Sequence, residues 1–193
     1  MTDIAATASP EPVPDKSAWL FHLVRIIAAA WGAWILLRLA MLIINRPQFL
    51  ELQSKAFGID VSGVSDARFY SAFALAAVVF FGAAVLAWCI WSLFSTFLDG
   101  RGLSYEATCR MRTVGVVGLV VTLLDIGYRP IFYWILHDGL FARVPWAVYF
   151  RSDDLLHLLL ATMVMAFAIV YRRAVQSTVR PGSVQDGASP PGL

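Results

Sequence analysis

Four long apolar runs, Trp19–Ile44, Phe69–Leu98, Val114–Leu136 and Leu155–Tyr171, constrain this chain more than anything else in it. Each approaches or exceeds the roughly 20 helical residues that cross a ~30 Å hydrocarbon layer. Inside lipid no water satisfies backbone N–H and C=O groups, so such a run must be a helix that bonds internally. The sequence predicts an all-α integral membrane protein. Its expected architecture is an up-down four-helix bundle, with helices over 19–44, 69–98, 105–136 and 153–174. Composition agrees, because only 15% of residues are charged, against about 25% in soluble domains. The 193 residues hold one such unit, over 19–175, and leave no room for a second folded domain. A net charge of +2 supplies no field for nucleic acid, so direct nucleic-acid binding is not expected.

The flanks read differently. Residues 1–18 carry Asp3, Glu11 and Asp15 against a single Lys16, unlike the basic start of a secretory signal. Prolines at 10, 12 and 14 make this segment an extended, disordered tail. Residues 176–193, rich in Ser, Pro and Gly, are expected to behave the same way.

Between the runs, punctuation is clear. Pro47 stops the first helix. Within 46–68, the spacing of Phe49, Leu50, Leu52, Ala56 and Phe57 suits a short amphipathic helix on the membrane surface. Ser65 is the expected N-cap of the second long helix, and Asp99-Gly100-Arg101-Gly102 its stop. Ser104 caps the third, which enters lipid near Val114 and meets Pro130 before its end. That proline is expected to kink the helix or to end its lipid-buried part. Arg143–Phe150 is aromatic, broken by Pro145, and suits an interface. Ser152, Asp153 and Asp154 open the fourth helix as cap and first-turn acids, and Arg172-Arg173 close it.

Lys16, Arg25, Arg101, Arg110, Arg112, Arg172, Arg173 and Arg180 fall on one side of the membrane. Arg46, Lys55, Arg68, Arg143 and Arg151 fall on the other. The excess predicts that both termini face the cytoplasm.

Charges inside the apolar runs are costly, so they are the sharpest local signal. Arg38 lies 13 residues beyond Arg25, and Asp125 lies 13 beyond Arg112. At 1.5 Å per residue both stand about 20 Å from the inner basic rim. Arg129 is one turn from Asp125, at i+4. His157, 15 residues before Arg172, stands at about 22 Å by the same rise. The expectation is a buried cluster with Asp125 as acceptor, Arg38 and Arg129 as donors and His157 nearby. Such a cluster locks helices or lines a pathway for a substrate, ion or proton. Arg38 has a further option, which is to snorkel to the surface.

Catalytic motifs of the HExxH, Walker and GxSxG kinds are absent from the sequence. The histidines, His22, His137 and His157, form no pair on one helix, and His22 lies at the opposite end from His157. Cys89 and Cys109 lack metal-ligand spacing. No cofactor or metal is expected.

The segment Phe97–Gly115, FLDGRGLSYEATCRMRTVG, resembles a motif of small bacterial membrane proteins in the domain-of-unknown-function family numbered 2975. That motif approximates F-x-x-G-x-x-F-S-x-E-x-x-x-R-L-R-x-I-G. Phe97, Gly100, Ser104, Glu106, Arg110, Arg112 and Gly115 fit it, while Leu103, Met111 and Val114 depart conservatively. The closing AFAIVYRRAVQ is similar to the family's end, although a Pro/Gly tail replaces its usual acidic one. The resemblance covers about Ala72 to Gln176. It implies four helices and a bacterial inner-membrane location, and it implies no reaction. Some members accompany small DNA-binding regulators.

Physically, the same hairpin offers Gly100, Ser104, Glu106, Arg110 and Arg112 to anionic lipid or to a protein partner. The expected function is non-enzymatic: an accessory, structural or regulatory membrane component acting through protein contacts. The alternatives are a small transporter or channel component using Arg38, Asp125 and His157, or a membrane enzyme or redox subunit.

Overall fold

The computed structural model describes residues 18–57, 63–100, 104–136 and 150–179. Both expected tails up to Ser17 and from Arg180, the turn residues Arg101 and Gly102, His137, and the interfacial stretch from Arg143 to Tyr149 lie outside them. Among the described residues there are five helices and no strand: α1 (Ala18–Ile44), α2 (Arg46–Phe57), α3 (Asp66–Leu98), α4 (Tyr105–Leu136) and α5 (Ser152–Val179). Four of them, α1, α3, α4 and α5, are long and apolar enough to cross a membrane. Their outward faces are apolar too, with Ile26 67% and Leu159 63% exposed. A helix that is hydrophobic all round needs lipid or protein on every side. The chain is a multi-pass membrane protein.

The helix ends follow local chemistry. Ser65 is extended and its hydroxyl accepts from the Arg68 N–H, so α3 starts a turn before the apolar run. At its other end Gly100 has φ of 72°, a left-handed conformation that costs glycine little, and its N–H donates to Phe97 O at 3.2 Å. Ser104 Oγ accepts from the Ala107 N–H at 3.1 Å and opens α4. Pro130 does not end α4, which continues to Leu136. Pro47 falls in the first turn of α2, where its missing N–H has no helical partner to lose. Two details differ from expectation at α5. Its first residue is Ser152, which makes Arg151 the capping position. The helix also runs past Arg172-Arg173 to Val179, since cations favour a C-terminal half and do not break it.

Each long helix packs on its sequence neighbour: α1 on α3, α3 on α4, and α4 on α5. Small residues set the approach. A Cβ on Gly32 would stand 3.1 Å from Ala87 Cβ, and one on Gly115 would stand 2.4 Å from Met165 Cγ and 3.1 Å from the Met165 backbone N. Gly115→Ala is expected to lower stability by about 1–3 kcal/mol in detergent unfolding, because α5 backbone must shift. Gly127→Ala, with nothing within 4 Å, is the contrasting case. It is expected to be neutral or to stabilise, by up to ~1 kcal/mol of helix propensity.

The tightest core lies at one end, where Leu42 of α1, Phe49 of α2, Phe69, Ala72 and Ala76 of α3, and Phe132, Tyr133 and Leu136 of α4 meet. The short helix α2 is more than a surface element, since Phe49 is driven into this core and is 1% exposed. Arg46 ties its start down. The guanidinium pairs with Asp66, donates to Val64 O at 2.7 Å and lies 5.1 Å over the Phe69 ring. On the solvated face Lys55 and Glu51 pair at 2.6 Å. Hydrogen bonding first, and charge second, hold the Glu51 carboxyl below its ordinary value. Both groups are exposed, so the pair contributes little to stability.

Candidate functional site

The most constrained polar group in the bundle is Arg129, late in α4 and only 5% exposed. Its Nη1 donates to Asp154 Oδ2 at 2.7 Å and its Nη2 to Asp154 Oδ1 at 2.8 Å. This is the two-pronged geometry that guanidinium and carboxylate favour. Nη2 also donates to Asp125, one turn back on α4. Asp154 is the third residue of α5 and is 1% exposed. Its Oδ2 further accepts from the Arg151 N–H at 2.7 Å. An acid three residues past the capping position does this routinely. One carboxylate therefore caps α5 and fastens it to α4.

Arg129 lies 17 residues beyond Arg112, and Asp154 lies 18 before Arg172. Both stand about 26 Å from the basic rim at the other end, which places the lock at the edge of the hydrocarbon and not in its middle.

The four residues singled out from the sequence are only partly united. Asp125 and Arg129 bond directly. Arg38 and Asp125 line one cleft over α3, yet no ion pair joins them, and Arg38 is exposed. The reason is the packing order: α1 and α4 both lie on α3 and make no extensive contact with each other. His157 sits one turn beyond Asp154, is exposed, and takes no part in the group. Its height matches the cluster; its side of the helix does not. Arg151 lines the cleft in its place, alongside Arg129.

Sequence reasoning missed Asp154 and Arg151 as members of this group. The signal was available, since counting from Arg172 puts Asp154 level with Arg129. First-turn acids already had an explanation in the helix dipole, which hid the pairing.

At the opposite end, the motif residues divide. Gly100 and Ser104 shape the ends of α3 and α4. Arg110 is a strut: it donates to Ser92 O at 2.8 Å, to Ser92 Oγ at 2.6 Å and to Glu106 at 2.7 Å. Those bonds tie the first turns of α4 to α3 and occupy the guanidinium. Arg112 is exposed and lines a groove of about 220 Å³ with Tyr105, Met165 and Arg172. Nearby, the Arg25 guanidinium lies 4.8 Å over the Trp91 ring, a cation–π contact that no charge count reveals.

Among the described residues, no three or more His, Cys, Asp or Glu side chains come together as a metal site. Arg129 is held by two carboxylates, whereas Arg38 and Arg151 line the cleft without a salt bridge to a carboxylate among the described residues, although the Arg151 charge acts on Asp154. No family model, curated protein or solved structure matches the chain.

Proposed function

We propose that this chain is an accessory, structural or regulatory component of a bacterial inner membrane, acting through protein contacts and carrying out no reaction. Its termini face the cytoplasm in this reading, as does the Gly100–Arg112 hairpin. The resemblance of Phe97–Gly115 to the numbered membrane family supports the setting. The observation that carries the reading is the use of buried charge. Arg129 and Asp154, the charged side chains buried among the described residues, fasten α4 to α5 at one edge of the membrane. Away from that edge, Gly82 closes on Val121, Gly115 on Met165 and Gly32 on Ala87. Small residues in close contact make a rigid scaffold and a poor conduit.

The runner-up, a transporter or channel component, draws on the cleft that Arg38 and Asp125 share. Two measurements separate them. In proteoliposomes, proton and anion flux is expected at the protein-free background. In native nanodiscs, a membrane partner is expected at fixed stoichiometry, and charge reversal at Arg112 is expected to release it. Flux above background that disappears in Asp125→Ala would replace the first reading with the second.

A further inference from the structure

The cleft between α1 and α4 has two unlike walls. Its floor on α3 is apolar: Val79, Phe80 and Ala83. Its rim is cationic, with Arg38 on one side and Arg151 on the other. Arg129 also reaches the cleft, but Asp125 and Asp154 already hold its guanidinium. The volume is about 480 Å³, within the ~300–1,000 Å³ range of ligand pockets. We propose that this cleft binds an amphipathic anion. A phosphate-type head sits between Arg38 and Arg151, and an apolar portion lies along Val79, Phe80 and Ala83.

Three observations meet in that assignment. A guanidinium at the edge of lipid is stabilised by an anion that it can grip with paired N–H groups. Neither Arg38 nor the Arg151 side chain forms a salt bridge with a carboxylate among the described residues; the Arg151 charge also acts on Asp154, so the charge of Arg38 is open and that of Arg151 is only partly offset. The sides of the cleft are held rigid by the Arg129–Asp154 lock and by Phe49 of α2, whose neighbours Leu52 and Gln53 also line it. Preorganised donors bind with less loss of freedom. The head group can arrive on a membrane lipid or on a small soluble amphiphile. This site does not depend on the protein partner proposed above.

The test uses the full chain in a neutral detergent, titrated with short-chain phosphatidylglycerol, with phosphatidylcholine of the same chains, and with octyl phosphate, and read by native mass spectrometry. Preference for phosphatidylglycerol over phosphatidylcholine by about tenfold is expected for a lipid source. Octyl phosphate binding about tenfold tighter than either lipid supports a soluble source. In either case Arg38→Gln with Arg151→Gln is expected to weaken binding about tenfold or more. Arg172→Gln with Arg173→Gln removes the same charge from the far end and is expected to leave it intact. Asp125→Asn withdraws a negative charge from the cleft while Asp154 still holds Arg129. It is expected to tighten binding about threefold, a gain that misfolding does not produce. Equal binding of all three amphiphiles, or equal loss in the two double variants, would overturn the proposal.

Discussion

Arg129→Met is expected to destabilise the bundle by about 3–5 kcal/mol. The substitution keeps an apolar stem of similar length and removes the guanidinium, its charge and its N–H donors together. Asp154, 1% exposed, then keeps a negative charge with only the neutral Arg151 N–H donating to it. Asp125 loses its ion pair in the same step. Reversible unfolding in mixed micelles reads the loss, and crosslinking between α4 and α5 should report their separation. Adding Asp154→Asn should recover most of the stability, because a neutral amide still accepts from the Arg151 N–H. Arg129→Lys should fall between, since one ammonium cannot reproduce the two-pronged contact. A double variant no better than Arg129→Met would mean that stability was lost with the packing of the arginine stem and not with its charge.

This lock also marks how far the sequence could be read. Length and apolarity alone place four spanning helices, because the bilayer imposes a single solution on each run. The Asp125–Arg129 contact follows from i, i+4 spacing on one helix. Counting residues from the basic rims puts Arg38, Asp125 and His157 at comparable heights. Height is only one coordinate, however. Whether two side chains meet depends on which helices touch and on the rotation of each about its own axis. Those are decided by glycine and alanine contacts such as Gly32–Ala87 and Gly82–Val121, which leave no periodic apolar signature when every face of a helix is apolar. Hence Arg38 shares a cleft with Asp125 across α3 without touching it, and His157 faces away. Asp154 was hidden for a different reason: capping accounts for its type and position, and nothing local announces a second bond from the same carboxylate.

Phe49→Ala carries the second large effect, about 3–5 kcal/mol if the whole ring environment collapses only in part. The spacing of apolar residues in α2 predicts a helix on the membrane surface, and a surface helix would be held by several side chains of equal weight. The structure concentrates the hold in one. The Phe49 ring sits 5.4 Å from Phe69, nearly perpendicular to it, 5.8 Å from Phe73 and 6.0 Å from Phe132. Removing it leaves a void bounded by α3 and α4 that the fixed helices cannot close. Because α2 makes few other contacts with the spans, the response is expected to be local first. Amide exchange over α2 should accelerate by more than 100-fold, with a smaller fall in the midpoint of global unfolding. Phe49→Leu should lose much less. Leu52→Ala, at a residue 37% exposed, should change stability by under ~1 kcal/mol. Comparable exchange in Phe49→Ala and Leu52→Ala would restore the surface-helix picture. A selective effect at Phe49 would instead make α2 an integral wall of the cleft. Phosphate-head binding should then weaken in Phe49→Ala although neither Arg38 nor Arg151 has changed.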